Sequence, residues 1–201
     1  ARYYVGVGVF FPVISACETI QLLDTSTVQV HAKLNADGTI SVYRATGTAN
    51  LLGTTPLANA LQVNVNYFIE LDVTISDTAG TVTVKIDGVT RLSLTAQDTK
   101  ASSNSTCDGF QLISTSGINV YYDDLYVGNG AGGSPWNASL GVMRVETLVT
   151  SANGTTNQWT PLAGTNEENV DETTPDGDTT YNSESTTSER DLFAMGDLSA
   201  P

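Results

Sequence analysis

The stretch YFIELDVTISDTAGTVTVKIDGVTRLSL, residues 67–94, holds three strand patterns in a row. Tyr67, Ile69, Leu71, Val73 and Ile75 alternate with Phe68, Glu70, Asp72, Thr74 and Ser76, the period-two signature of a half-buried strand. Asp77-Thr-Ala-Gly80 is turn chemistry. Val82, Val84 and Ile86 then alternate with Thr81, Thr83 and Lys85, and Asp87-Gly88 follows at once. Asp-Gly between alternating runs is the strongest short hairpin signal, because both central residues must reach positive φ. Leu92 and Leu94 carry the third strand. The pattern predicts an antiparallel meander with one wet face and Ile69, Leu71, Val73, Val82, Val84 and Ile86 in the core.

Working outward, the same alternation recurs. Tyr4, Gly6, Gly8 and Phe10 alternate with Tyr3, Val5, Val7 and Val9, and Pro12 ends that strand. Val28, Val30, Ala32 and Leu34 lead through Asn35-Ala-Asp-Gly38 to Ile40 and Val42, a second hairpin. Leu51-Leu52 suggests a short edge strand, residues 96–109 a loop, and Phe110 and Leu112 a further strand, with a turn at Ser116-Gly117. Ile118, Val120 and Tyr122 set one face of the last strand. Leu125 and Val127 fall out of phase with them, so Asp123-Asp124 reads as a β-bulge.

Two features now carry a resemblance. A long strand, a turn and a strand ending in Asp-Gly, followed later by YYDDLYV (Tyr121–Val127), resemble the laminin-G-like members of the concanavalin-type lectin and glucanase superfamily. The resemblance covers residues 1–128 and implies an all-β, concanavalin-type jelly-roll β-sandwich. A complete sandwich of that type carries more strands than the eight or nine counted here, so either residues precede Ala1 or the sandwich is a reduced one. Beyond it come GNGAGGSPWN (128–137), LGVMRVETLVTSANGTTNQWTP (140–161), VDETTPDGDTTYNSES (170–185) and DLFAMGDL (191–198). This order resembles a recurrent type of tailed-bacteriophage virion protein, a concanavalin-type domain followed by an acidic extended segment. The expected organisation is a sandwich over 1–128, a Gly-rich hinge over 129–139 and an extended Thr/Ser/Asp-rich arm over 140–201. Within the arm, Leu140, Val142, Val145 and Leu148 suggest one more strand.

Composition bounds the function. The chain has 201 residues and a net charge of −14. Residues 166–201 carry ten acids and one base, whereas residues 1–128 carry eleven acids and six bases. An acidic chain without a basic cluster argues against nucleic acid and anionic membranes as partners. No apolar run approaches a membrane span, and the start, ARYYVGVGVFFPVIS, lacks the pattern of a signal peptide. Cys17 and Cys107 make no disulfide framework; one bridge or two reduced thiols are both open.

Candidate chemistry is sparse. Glu70-Leu-Asp72-Val resembles the E-x-D-x-x-E of β-glucanases, but the second Glu is missing, since residues 74–76 are Thr, Ile and Ser. Retaining glycosidases need a paired nucleophile and acid, so Glu70 and Asp72 read as a solvated strand face and the chain as non-enzymatic. His31, the only histidine, reads as a surface residue; no nucleophile motif accompanies it and no zinc ligand set exists. No cofactor is implied. Asp123 and Asp124 are calcium candidates set against a plain bulge with exposed acids, and the Asp171–Asp178 run lacks EF-hand spacing. Trp136 and Trp159, both outside the sandwich, and Phe193 read as interface anchors, because interfaces are enriched in such residues. Tyr43, Tyr121 and Tyr126 are the candidate glycan contacts on the sandwich rim. The resemblance implies an outward-facing decoration or appendage of a tailed-phage virion. Such a protein is assembled in the bacterial cytoplasm, exposed on the particle surface, and held by its arm to other virion proteins and copies of itself. The alternative is a lectin-like module of a phage fibre or adhesin that recognises host surface glycans.

Overall fold

A computed structural model describes residues 1–114, 117–143, 147–174, 177 and 179–197, in two compact units, Ala1–Met143 and Arg144–Pro201. The expectations at Ser116, Val145, Asp176 and Asp178 lie outside the described residues.

The first unit is an all-β jelly-roll sandwich of two five-stranded antiparallel sheets. Its strands are β1 (Arg2–Phe10), β2 (Cys17–Asp24), β3 (Thr27–Leu34), β4 (Ile40–Arg44), β5 (Leu51–Thr54), β6 (Asn66–Thr74), β7 (Gly80–Ile86), β8 (Val89–Gln97), β9 (Gly109–Leu112) and β10 (Tyr121–Gly128). One sheet runs β10-β1-β6-β7-β8 and the other β5-β4-β3-β2-β9. The central meander forms as expected: Leu71 stands opposite Val84, and Val84 opposite Leu92. Asp87 and Gly88 both take positive φ, 51° and 75°, the geometry the tight hairpin requires.

Ile69, Leu71, Val73, Val82, Val84 and Ile86 are all buried, and they meet Val5, Val7 and Val9 of β1 and Ile20, Leu22, Val30 and Val42 of the facing sheet. Each such side chain contributes roughly 1.5–3 kcal/mol relative to an exposed one. The bulge also falls where the phase change places it. Gly6 pairs with Tyr126 and Gly8 with Asp123, so the register shifts between them, and Asp124 sits at φ 49°.

The first unit continues past Gly128. Residues 129–143, expected as a hinge and the start of an arm, are held against the sheet by hydrogen bonds and by Leu140 and Val142 on Tyr4, Phe68 and Tyr126. The described residues from Leu140 to Val149 form no strand. Sparse apolar residues in a Gly-rich chain read as a linker, but here they complete a cluster already waiting on the sheet.

The second unit has regular structure of its own where an extended arm was expected. β11 (Thr150–Asn157) pairs with β14 (Asp191–Met195), β12 (Thr160–Pro161) with β13 (Asn182–Ser183), and Glu167–Asn169 forms a 3-10 turn. Among the described residues of this unit, the buried side chains are asparagines. The buried Asn166 donates to the Trp159 carbonyl at 2.7 Å and to Asp191 Oδ2 at 2.5 Å. Asn169, also buried, donates to the carbonyls of Ala163 (2.7 Å) and Thr165 (2.9 Å). Three of these bonds go to main-chain carbonyls and the fourth to a carboxylate, and a polar group buried without such a partner costs free energy.

Candidate functional site

The outer face of the β10-β1-β6-β7-β8 sheet is where the polar half of each strand converges. Along β1, Arg2, Tyr4, Gly6, Gly8 and Phe10 point outward; β6 sets Thr74, Asp72, Glu70, Phe68 and Asn66 opposite them in that order. Across β1 on the other side, Gly6 faces Tyr126 and Gly128 faces Tyr4. A Cβ at Gly6 or Gly128 would collide with the ring lying over it, so these two positions need glycine for close approach.

One end of this face is closed by residues 129–143. Glu70, expected to be solvated, is 1% exposed. Its Oε1 accepts hydrogen bonds from the Tyr126 hydroxyl and from the Gly141 N–H at 3.0 Å. The Leu140 N–H in turn donates to Tyr126 Oη at 2.9 Å. Burial first, and the bond to Glu70 second, push the Tyr126 hydroxyl well above its ordinary pKa. Glu70 Oε2 is buried without a hydrogen-bond partner, 4.0 Å from Lys85 Nζ, which donates to Ser139 Oγ at 3.1 Å. Asp72 is gripped by Arg2, whose Nε and Nη2 reach Oδ1 and Oδ2 at 2.9 and 2.5 Å, while Arg2 Nη1 donates to the Asn137 carbonyl at 3.3 Å. Tyr4 Oη donates to the Trp136 carbonyl at 2.5 Å. Both carboxylates are therefore structural. A hydrolytic pair must reach both sides of a scissile bond, and neither of these faces open space.

The other end of the face is open. Gly8, Val9, Phe10, Asn66, Tyr67, Tyr121, Tyr122, Asp123 and Asp124 line a groove of about 620 Å³. Tyr121 is 58% exposed, and its ring meets Phe10 edge-on at 5.9 Å. Gly8 leaves the floor low, Asn66 is exposed on one wall, and Asp123 and Asp124 stand exposed on the bulge. The Asp124 N–H donates to Asp123 Oδ1 at 2.9 Å. Apolar ring surface beside a few convergent polar groups is the usual make-up of a small-molecule site.

The remaining sequence candidates fall as follows. Tyr121 stands in the groove, but Tyr43 and Tyr126 are buried and present no face to a ligand. Around Asp123 and Asp124 no third acidic, histidine or cysteine ligand gathers among the described residues. Trp136 is 63% exposed in the first unit; Trp159 is exposed and Phe193 half-buried in the second. His31, expected at the surface, is fully buried: its ring stacks on Tyr43 at 5.2 Å and Nδ1 lies 2.7 Å from the Ala45 carbonyl. It does point away from the core, as the alternation requires, but that outer face is itself covered, and burial pushes its pKa down.

Gln29 carries weight that the sequence did not disclose. Fully buried, it accepts from the Ala101 and Ser102 N–H groups and donates to Ser102 Oγ and the Asn104 and Thr106 carbonyls, fixing the loop after β8. Its only signal was an amide in mid-strand. The two cysteines are not bridged. Cys107 lines a second cleft, of about 460 Å³, beside Leu22, Phe110 and Val127; burial pushes its thiol up to about 12, so it is no nucleophile at neutral pH.

No protein-family model matches the chain, and no curated protein matches it. Among solved structures, the chain is similar to a Trypanosoma rangeli sialidase mutant displaying trans-sialidase activity, at 13% identity and a TM-score of 0.45, over 64% of this chain and 20% of that one. It thus spans about a fifth of the sialidase's length. It is also similar to a Caenorhabditis elegans galectin, at 16% identity and a TM-score of 0.41, over 62% of this chain and 81% of that one. Ligand-free congerin I aligns at 13% identity and a TM-score of 0.40, over 62% of this chain and 90% of that one.

Proposed function

We propose that the sandwich is a non-enzymatic, lectin-like module that binds glycans, such as those of a host surface, in the open groove of the β10-β1-β6-β7-β8 sheet. The observation that carries this reading is the exposed Tyr121 ring beside Phe10 over a glycine floor, flanked by Asn66 and Asp123. A sugar ring has one apolar C–H face and a rim of hydroxyls. The aromatic pair takes the face and the amide and carboxylate take the rim. Glu70 and Asp72, the residues a hydrolase would use, are sealed under residues 129–143 or bound to Arg2. A glycan array probed with the full chain tests this. Binding of about micromolar strength is expected for wild type and its loss for Tyr121→Ala. No binding to any glycan, or equal binding by the variant, would defeat the reading.

A second reading rests on a different observation. Trp159, Leu162, Tyr181, Leu192 and Met195 are all exposed in the second unit, as suits a surface that binds other protein chains. With the sequence resemblance, this favours a structural component of a tailed-phage virion, displayed on the particle and held to other virion proteins or to copies of itself. Co-sedimentation with phage particles that weakens in Trp159→Ala supports it; a chain that stays free of particles refutes it.

A further inference from the structure

The charge of the groove narrows the class of sugar. Its lining holds two carboxylates, Asp123 and Asp124, and no lysine or arginine. Four of the six bases of the sandwich are paired elsewhere, Arg2 with Asp72, Arg44 with Asp98, Lys85 with Glu70 and Lys100 with Asp77, and the other two, Lys33 on β3 and Arg91 on β8, do not line the groove. Arg2 and Phe10 stand at opposite ends of β1, which at strand rise is roughly 27 Å apart. An acidic sugar entering the groove would lose water from its carboxylate and gain no cation, while facing two negative charges. An amine-bearing sugar meets the opposite situation. One oxygen of Asp123 is engaged by the Asp124 N–H, and the second oxygen, with both of Asp124, stands at the exposed bulge beside the Tyr121 and Phe10 rings.

We propose that the groove selects amine-bearing sugars of the glucosamine type over their N-acetylated forms and over acidic sugars. The Tyr121–Phe10 pair stacks on the ring, and Asp123 and Asp124 pair with the ammonium; the proposal rests on the glycan-binding reading above. N-acetylation removes the charge and the donor set of the ammonium, and leaves the ring contact unchanged.

The test is titration calorimetry of the full chain at about pH 6, where a sugar amine is charged. The probes are the glucosamine disaccharide, its di-N-acetyl form and sialyllactose. At ~20 mM salt the glucosamine disaccharide should bind about tenfold tighter than the N-acetyl form, with the gap narrowing at ~300 mM. Sialyllactose should bind weakest, and Asp123→Asn with Asp124→Asn should bring the two disaccharides together. Tyr121→Ala, which keeps every charge, should abolish binding. If Tyr121→Ala leaves amine-sugar binding intact, the acidic surface at large is the binder and the proposal is overturned. It is equally overturned if the two disaccharides bind wild type alike, or if sialyllactose binds tightest. If the disaccharides fail while other glycans bind through Tyr121, the charge selection is wrong and the glycan reading stands. If no glycan binds at all, both fall.

Discussion

Glu70→Ala should loosen residues 129–143 from the sheet. The side chain accepts two hydrogen bonds, from the Tyr126 hydroxyl and the Gly141 N–H, in a site 1% exposed. Bonds to charged groups contribute about 1.5–3 kcal/mol each, and a buried donor left without an acceptor costs a similar amount. Part of that is recovered when the released segment reaches water, so about 3 kcal/mol is the expected loss. Glu70→Gln keeps one acceptor oxygen but turns an amide N–H₂ toward Lys85 Nζ, now 4.0 Å from Oε2, and should cost about 1–2 kcal/mol. Hydrogen exchange reads the effect locally: at about 3 kcal/mol, protection of the Leu140 and Gly141 amides should drop about a hundredfold. Denaturant unfolding gives the global figure. A Glu70→Ala chain within about 0.5 kcal/mol of wild type, with those two amides still protected, would show that the carboxylate does not hold the segment.

Val84→Asp places an unpaired charge at a fully buried position, so a loss of several kcal/mol and of the β-sheet circular dichroism is expected; a wild-type spectrum would refute the core assignment. His31, the only histidine, gives a single NMR titration. Burial holds its folded pKa below the unfolded value of about 6.5, so its contribution to stability is complete above that pH and is lost as pH falls toward the folded pKa. A titration midpoint at or above about 6.5 would contradict its burial. Asn166→Ala removes two hydrogen bonds, to the Trp159 carbonyl and Asp191, and should destabilise the second unit by about 2 kcal/mol. Limited proteolysis would then cut within residues 150–197 sooner than in wild type, and unchanged cleavage would mean the asparagines do not hold that unit together.

Alternation made most of the sandwich legible. It placed the meander, the Asp87-Gly88 turn and the bulge at Asp123-Asp124, because each depends on neighbouring residues and the period of a strand. What alternation cannot disclose is whether an outward face is wet. Glu70 and His31 both point away from the core, as their phase requires, yet one lies beneath residues 129–143 and the other against Tyr43 and Ala45. Residues 129–143 reach Glu70 from far along the chain, while His31 is covered by its cross-strand partner Tyr43 and by Ala45 just past β4, and alternation within a single strand encodes neither cover. The second unit escaped for a related reason. Its polar residues were weighed as apolar surface it lacks, whereas Asn166 and Asn169 order it through main-chain carbonyls. Of the groove, Tyr121 and the two aspartates were legible; Phe10, Gly8 and Asn66 needed the register between β1, β6 and β10 to bring them together.

The most direct test of the groove is a ¹⁵N NMR titration of the full chain with the oligosaccharide that binds best on the array. Amide shifts at Gly8, Phe10, Asn66, Tyr121 and Asp123, with residues 150–197 unmoved, are the predicted result. Shifts confined to residues 150–197, or none on the sheet face, would contradict it.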